Sequence, residues 1–387
     1  MGRSFCMKRR RILLFFFSCC LILLSAGCWD LKDIEKLSFV RGVGIDEEEE
    51  NGVKLTYQNL VPKTGGTQEA DSPGYVNVVS RGKNVLEAVS NVALKDPPIY
   101  SDHLKIFLFG RNQAEHHDIQ GTLNHFIRDD EVRRSSYLLV SRGDASKVIN
   151  QKLKSQQKVP VEHIFETSKN RSFNGKIALP TRIGRASDYF QMGVSFLVQS
   201  VDAVDGELIY DGAGIIHGKT RKLIGFISSK DVQYLNWVTN RISGGVVPAT
   251  YKGYPITYEI KKAKTKVEPY LKDGKVSFKI SVQTNGKLSE DQYPPENSYD
   301  EQYIKRFEKV FSRKIKERIQ KTVSHMQHEV GVDPIFLSRQ FRIKYPEYWD
   351  QHRDEWDKLF QEADITYDIK VSILNFGAEG ATKSFKW

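Results

Sequence analysis

An uncharged apolar run that ends at a cysteine constrains this chain most. Residues 12–24 carry no charge, Arg3, Lys8, Arg9, Arg10 and Arg11 precede them, and Leu24-Ser25-Ala26-Gly27-Cys28 follows. As a helix the run covers ~20 Å at ~1.5 Å per residue, against a hydrocarbon core of roughly 30 Å, so it reads as a cleaved signal ending in a lipobox. Ordinary small-residue cleavage near Ala26 is the alternative. The other cysteines, Cys6, Cys19 and Cys20, all lie inside segment 1–27. Cleavage before Cys28 leaves 360 residues with one thiol, so no disulfide framework can staple the fold. A Met1-Gly2 start lacks the Ser or Thr that N-myristoylation wants at position 6, which is Cys6. Acylation at Cys28 adds more than one chain, and at ~0.8 kcal/mol per buried CH₂ two chains anchor durably where one is marginal. The expectation is a globular body tethered to a membrane face.

Removing residues 1–27 lowers the net charge from +10 to +5. On a chain this long that is no nucleic-acid footprint, and mild attraction to anionic headgroups fits better. The remaining length predicts two or three domains. With 21 Phe, 17 Tyr and 5 Trp, global disorder is excluded.

Residues 37–46 and 53–61 alternate apolar and polar around the acidic turn 47–52, which predicts a hairpin. A mobile loop over 63–74, a strand over 75–80 and a helix over 84–94 follow. Next come a buried strand over 105–109, a helix over 118–128, a strand over 136–141 and a helix to residue 153 with Asp144 as N-cap. A further helical piece covers 161–168. We place a domain boundary near Met192, separating a mixed α/β domain (28–191) from a C-terminal domain (192–387). The second domain opens with strands over 193–199, 208–217 and 223–226. A helix starts at the Ser228/Asp231 capping box and carries Val232, Leu235, Trp237 and Ile242. Long strands over 256–270 and 276–284 are joined by Asp273-Gly274, a strong hairpin signal. From 299 to 330, Ile304, Phe307, Val310, Phe311, Ile315, Ile319, Val323 and Met326 define one amphipathic helix with a solvated basic face. A helix over 336–360 broken at Pro346 and a strand over 365–374 close the chain. The fold class is α+β: two to three mixed α/β domains, the C-terminal one a largely antiparallel sheet packed by long amphipathic helices.

No catalytic constellation is legible, and no cofactor or metal is implied. His325 and His328 stand near Glu329 without the spacing that sets a base beside zinc. The adjacent His116 and His117 should point apart. Gly42-Val43-Gly44-Ile45-Asp46-Glu47 has Glu where a dinucleotide loop needs its third glycine, so it reads as a glycine-bearing strand. The acidic run 47–50 lacks interleaved calcium ligands and reads as a solvated turn. Gly193-Val194-Ser195 continues to Leu197 where a nucleophile elbow needs glycine.

Gly27-Cys28-Trp29-Asp30, Ile34 and Gly42-Val43-Gly44-Ile45-Asp46 resemble the opening of spore germinant-receptor C-subunit lipoproteins, the Ger(x)C family. Ser101-Asp102-His103-Leu104-Lys105-Ile106 and the stretch from Phe126 to Arg133 resemble the family's N-terminal domain. Gly212-Ala213-Gly214-Ile215, Leu223-Ile224-Gly225, Asn236-Trp237 and Gly244-Gly245 resemble the start of its C-terminal domain. Tyr345-Pro346, Trp349, Trp356 and Phe360 resemble its end. The resemblance covers nearly the whole chain after residue 27, and it departs at Asp333-Pro334-Ile335-Phe336-Leu337, where many members are glycine-rich.

The resemblance implies a non-catalytic subunit on the outer face of the spore inner membrane. It would be held in the bilayer by a diacylglyceryl thioether and N-acyl group on Cys28, beside the polytopic A and B subunits of a nutrient receptor. The alternative is a solute-binding lipoprotein that hands a small molecule to a transporter, which needs a deep cleft between the two halves. A cell-wall hydrolase lacks a legible acid/base pair. Arg128, Asp129, Glu131 and Arg133 are read as a salt-bridged helix end, against a partner-facing patch. Trp349 and Trp356, seven apart on one helical face, are read as core, and His103 as a hydrogen-bonded structural residue.

Overall fold

Every residue of the strand Ile106–Phe109 is buried, with Ile106 and Leu108 in one apolar cluster and Phe107 and Phe109 in another. A run without a polar break is what a central strand covered on both faces requires. The computed structural model describes residues 38–60, 74–95, 99–128, 132–293 and 301–375. The signal segment, Cys28, the expected loop up to residue 73, Asp129 and Glu131 lie outside the described residues.

In chain order the first sheet comprises β1 (Ser38–Glu48), β2 (Gly52–Leu60), β3 (Tyr75–Gly82), β4 (Ile99–Tyr100), β5 (Ile106–Phe109), β6 (Tyr137–Ser141), β7 (Thr181–Arg182), β8 (Phe196–Val204), β9 (Glu207–Ile216) and β10 (Leu223–Ile227). Their order across the sheet is β10-β9-β8-β6-β5-β1-β2-β3, with β4 on β1 and β7 on β6. The central β8, β6, β5 and β1 run parallel, and antiparallel strands flank them on both sides. Helices α1 (Val85–Val92), α2 (Arg111–His116), α3 (Ile119–Arg128) and α6 (Ile183–Gln191) bury apolar residues in the cluster on one face. Helices α4 (Ala145–Ile149) and α5 (Pro160–Thr167) cover the other. The expected hairpin around the acidic turn is β1–β2. Asn84 caps α1 by accepting from Glu87 N–H at 2.9 Å.

The string Gly42-Val43-Gly44-Ile45-Asp46 has a physical reason. A Cβ at Gly42 would come within 2.6 Å of Val161 Cγ2, and one at Gly44 within 2.9 Å of Ile149 Cδ1. Helices α5 and α4 therefore rest on the backbone of β1. Asp46 then corrects one expectation. Asp144 occupies the N-cap position of α4, but its side chain makes no cap bond. Asp46 reaches across from β1 and accepts from Ala145 N–H (2.6 Å) and Ser146 N–H (2.9 Å). A carboxylate there satisfies orphan donors and meets the positive end of the helix dipole.

The second sheet is β11 (Val246–Tyr251), β12 (Tyr254–Lys272), β13 (Lys275–Asp291) and β14 (Asp364–Asn375), in that order. Its first two pairings are antiparallel and β13–β14 is parallel. Asp273 (φ 50°) and Gly274 (φ 74°) make the two-residue turn that their identity predicts. Helix α7 (Ser229–Val238) starts at Ser228, whose Oγ accepts from Asp231 N–H. Helix α8 (Glu301–His325) buries Phe307, Phe311, Ile315, Ile319 and Val323 along one stripe. It also covers the outer edge of β14, because Ile373 N–H donates to Glu308 Oε1 at 2.8 Å and Val371 N–H to Ser312 Oγ at 3.3 Å.

The long helix ends where its periodicity predicts, but its last turn, Met326–Val330, widens from α to π geometry after His325 and is closed by Gly331 at φ 79°. The single-break helix expected over 336–360 is three helices, α9 (Leu337–Lys344), α10 (Pro346–His352) and α11 (Trp356–Glu362). Pro346 opens α10, and a short turn, Arg353–Glu355, makes a second break.

Strand pairing runs on past Met192, with β8 parallel to β6 and β9 and β10 beyond it. The two sheets meet at α7, whose residues Val232 through Val238 are all buried. Trp237 and Leu235 share one cluster with Ala213 and Ile215 of the first sheet and Tyr258 and Ile260 of the second.

Two outcomes follow from these contacts. Asp46→Ala should lower stability by about 1–2 kcal/mol as the cap is lost, read as a lower urea midpoint at unchanged slope; Asp144→Ala should cost less. Lys105 and Arg41 both pair with Glu162. Burial pushes that carboxyl up, but the two cations outweigh it and hold it below its ordinary 4.5. A depressed folded value means the stabilisation is present above that pH and lost as pH falls below it. Glu162→Gln should therefore flatten this part of the acid-unfolding curve.

Candidate functional site

Most residues singled out in the sequence turn out to join parts of the body together. Arg133 forks onto Asp102 (Nε–Oδ1 3.1 Å, Nη2–Oδ2 3.0 Å), tying the chain after α3 to the loop before β5. Arg128 ends α3 and is exposed. His103 packs its ring against Phe39 and Tyr100, and its carbonyl accepts from Arg41. Asn236 in α7 donates through Nδ2 to Gly175 O (2.9 Å) and Ile177 O (3.0 Å). A Cβ at Gly244 would sit 1.9 Å from Ser172 O, so the turn after α7 presses against that same loop.

The histidines differ from expectation. Helix α2 ends at His116 and His117 turns extended (φ −116°, ψ 153°), so the adjacent rings converge. His116 Nδ1 lies 3.0 Å from Glu47 Oε2 and His117 Nε2 lies 2.9 Å from Oε1. Burial pushes Glu47 up, yet these contacts outweigh it and hold it below its ordinary range. His325 pairs with Glu329 at 3.0 Å, and His328 faces Ser324. Among the described residues no three His, Cys, Asp or Glu side chains are placed to hold a metal.

Trp349 and Trp356 lie on separate helices, α10 and α11, with ring centroids 5.3 Å apart. Trp356 is buried and donates from Nε1 to Asp333 Oδ2 at 3.1 Å. Asp333 is buried as well. It also accepts from Ser338 N–H (2.7 Å), Leu337 N–H (3.2 Å) and Ile335 N–H (3.2 Å). Burial holds its carboxyl above the ordinary range, and the four donors offset only part of that rise. The corner that departs from the family pattern is thus organised around a saturated carboxyl group.

That corner sets Phe336 at φ 63°, ψ 32°, a left-handed conformation costing a side chain about 1–3 kcal/mol. The strain aims Phe336 away from the cluster that holds Ile335 and Leu337, onto the other core. Its ring meets Tyr189 of α6 at 5.0 Å, and the Arg241 guanidinium lies over it at 4.9 Å.

Around this bridge opens a cleft of about 1520 Å³ between α6, the loop 217–221, the end of α7, and α9–α10. Nine Arg or Lys residues line it against three Asp. Of those three, Asp333 is saturated, Asp357 faces His217 at 3.6 Å, and the Asp354 carbonyl accepts from Lys219 Nζ at 2.6 Å. Arg182, Arg339, Arg342 and Arg353 are exposed, with no carboxylate within ion-pair distance among the described residues. Reasoning from sequence missed this cleft because its cations come from stretches as distant as Arg182 and Arg353, and no local pattern marks them.

Comparison with known proteins places this arrangement. Residues 30–195 match a family model described as spore germination protein N-terminal domain, and residues 211–377 match one described as spore germination B3/GerAC like, C-terminal. Spore germination protein B3 of Bacillus subtilis (strain 168) is 49% identical over 359 residues, covering 92% of this chain and 96% of that protein. This chain belongs to the spore germination B3/GerAC-like family. Spore germination protein A3 of the same organism is 31% identical over 367 residues, covering 93% and 97%. The crystal structure of the GerBC protein aligns with a TM-score of 0.62 at 44% identity, covering 89% of this chain and 100% of that one. The α+β architecture is shared with it. The interval between the two family matches falls within the β8–β9 hairpin, inside the first sheet.

Asp333→Ala should cost about 3 kcal/mol or more, because it strands four buried N–H donors. Asp333→Asn, which keeps one acceptor oxygen, should cost less. Urea unfolding followed by tryptophan fluorescence checks the order, and equal losses would contradict this account of the corner.

Proposed function

We propose that this protein is the C subunit of a nutrient germinant receptor, anchored through acylated Cys28 to the outer face of the spore inner membrane. It acts there by protein contact beside the polytopic A and B subunits. The observation that carries the reading is a lipobox ending at Cys28 on a chain whose relatives, over nearly their full length, are named spore germination proteins. The internal use of the signature residues supports it. Gly42, Gly44, Asp46 and Asn236 join helices and loops to the sheets, which suits a body that presents surfaces.

Among the described residues no helix is long and apolar enough to cross a membrane. Membrane residence in this reading comes from the acyl chains, with the +5 balance adding a weak attraction to anionic headgroups. The cleft between the sheets gives the solute-carrier reading one favourable observation. Its volume nonetheless exceeds the ~300–1,000 Å³ usual for small-ligand pockets, and its cationic lining contrasts with their mostly apolar walls.

Cys28→Ala should move the protein from the spore membrane fraction to the soluble fraction and slow nutrient-triggered germination. Fractionation and the loss of optical density after nutrient addition are the readouts. A normal response from an unanchored protein would overturn the proposal.

A further inference from the structure

We propose that the basic cleft receives an acidic polypeptide segment of a partner protein, an inference that rests on the contact-subunit reading above and names its surface. The first support is charge. Arg182 stands on the first-sheet side, and Arg339, Arg342 and Arg353 stand on the α9–α10 side, without carboxylate partners among the described residues. Like charges gathered around one concave surface raise the potential there, and an incoming anion relieves that repulsion.

The second support is shape. The cations are spread along walls enclosing about 1520 Å³ and do not converge on a single point. One small anion would leave most of them unmatched, whereas an extended chain places successive side chains at ~3.3 Å intervals per residue and can meet several.

The third support is the floor. Phe336, half-buried and held in its left-handed conformation, lies with Tyr189 and the half-buried Trp349 among the lining residues. Aromatic side chains in a recess are the usual anchors of an interface, with charges on the rim setting encounter rate and selectivity. A segment that alternates Asp or Glu with an aromatic or aliphatic residue has the matching chemistry.

The test uses the full-length acylated protein in detergent and a fluorescein-labelled 12-residue peptide rich in Glu and Asp with one Phe, read by fluorescence anisotropy. Saturable binding is expected, weakened on the order of tenfold by Arg339→Glu/Arg342→Glu and also by raising salt from about 50 to 300 mM. A Gln/Asn peptide of the same length should not bind, and Arg339→Lys/Arg342→Lys should retain most of the affinity. Arg182→Glu, on the opposite wall, gives the same reading if the double variant fails to fold. Equal binding of the acidic and neutral peptides, or no effect of either charge reversal, would overturn the proposal. Displacement of the peptide by millimolar citrate alone, or by phosphatidylglycerol vesicles, would overturn it in favour of a small-anion or a lipid site. In spores the charge-reversed protein should stay in the membrane fraction and slow germination. Normal germination by that variant sinks the cleft proposal and leaves the receptor reading intact; normal germination by an unanchored Cys28→Ala protein sinks the receptor reading itself.

Discussion

Four N–H groups converge on the buried carboxyl group of Asp333, and the corner that carries Phe336 across to the first core is built on that convergence. A carboxyl group taken out of water is tolerated only when its lone pairs are met. Here the donors come from the corner itself and from the Trp356 indole, so the carboxyl group fixes both the entry to α9 and the position of α11. The fixed corner throws Phe336 onto the first core, where its ring meets Tyr189 and joins it in lining the cleft. Helix α7 supplies the other half of the joint. Because it is buried along Val232 through Val238, it serves both sheets as a common wall.

The family signatures become intelligible as joints. Glycines at positions 42 and 44 let two helices lie on a strand, and Asp46 then caps one of them. Asn236 holds two loop carbonyls, and the glycine at 244 lets a turn meet that loop. None of these groups needs a substrate to explain it. The cations of the cleft differ, because the carboxylates among the described residues leave several of them without a partner, and it is there that an external partner has the most to add.

Local patterns made much of the fold legible. An unbroken apolar run found β5, the two-residue period found the long β12–β13 hairpin, and Asp273-Gly274 marked its turn. The stripe from Phe307 to Val323 found α8, and Ser228 with Asp231 marked the start of α7. What escaped was long-range. Asp46 caps a helix whose own N-cap residue, Asp144, looked sufficient, and nothing in a local window shows a strand carboxylate arriving from elsewhere. His116 and His117 would diverge on one regular element, but the helix ends between them and the chain turns back to Glu47. Phe336 lies in the run that departs from the family pattern, but nothing in that run marks a left-handed backbone, which Asp333 and packing impose. The cleft depends on all of these together, and so only the folded arrangement reveals it.

In the proposed role, a body without a spanning helix among its described residues is held to a bilayer by its own processed first residue. Intact-mass and amino-terminal peptide mass spectrometry of the protein isolated from spores tests that most directly. The account predicts a chain beginning at Cys28, with a diacylglyceryl group on sulfur and a fatty acyl group on the α-nitrogen. A chain that retains residues 1–27, or one that begins at Cys28 without fatty acid, would contradict it.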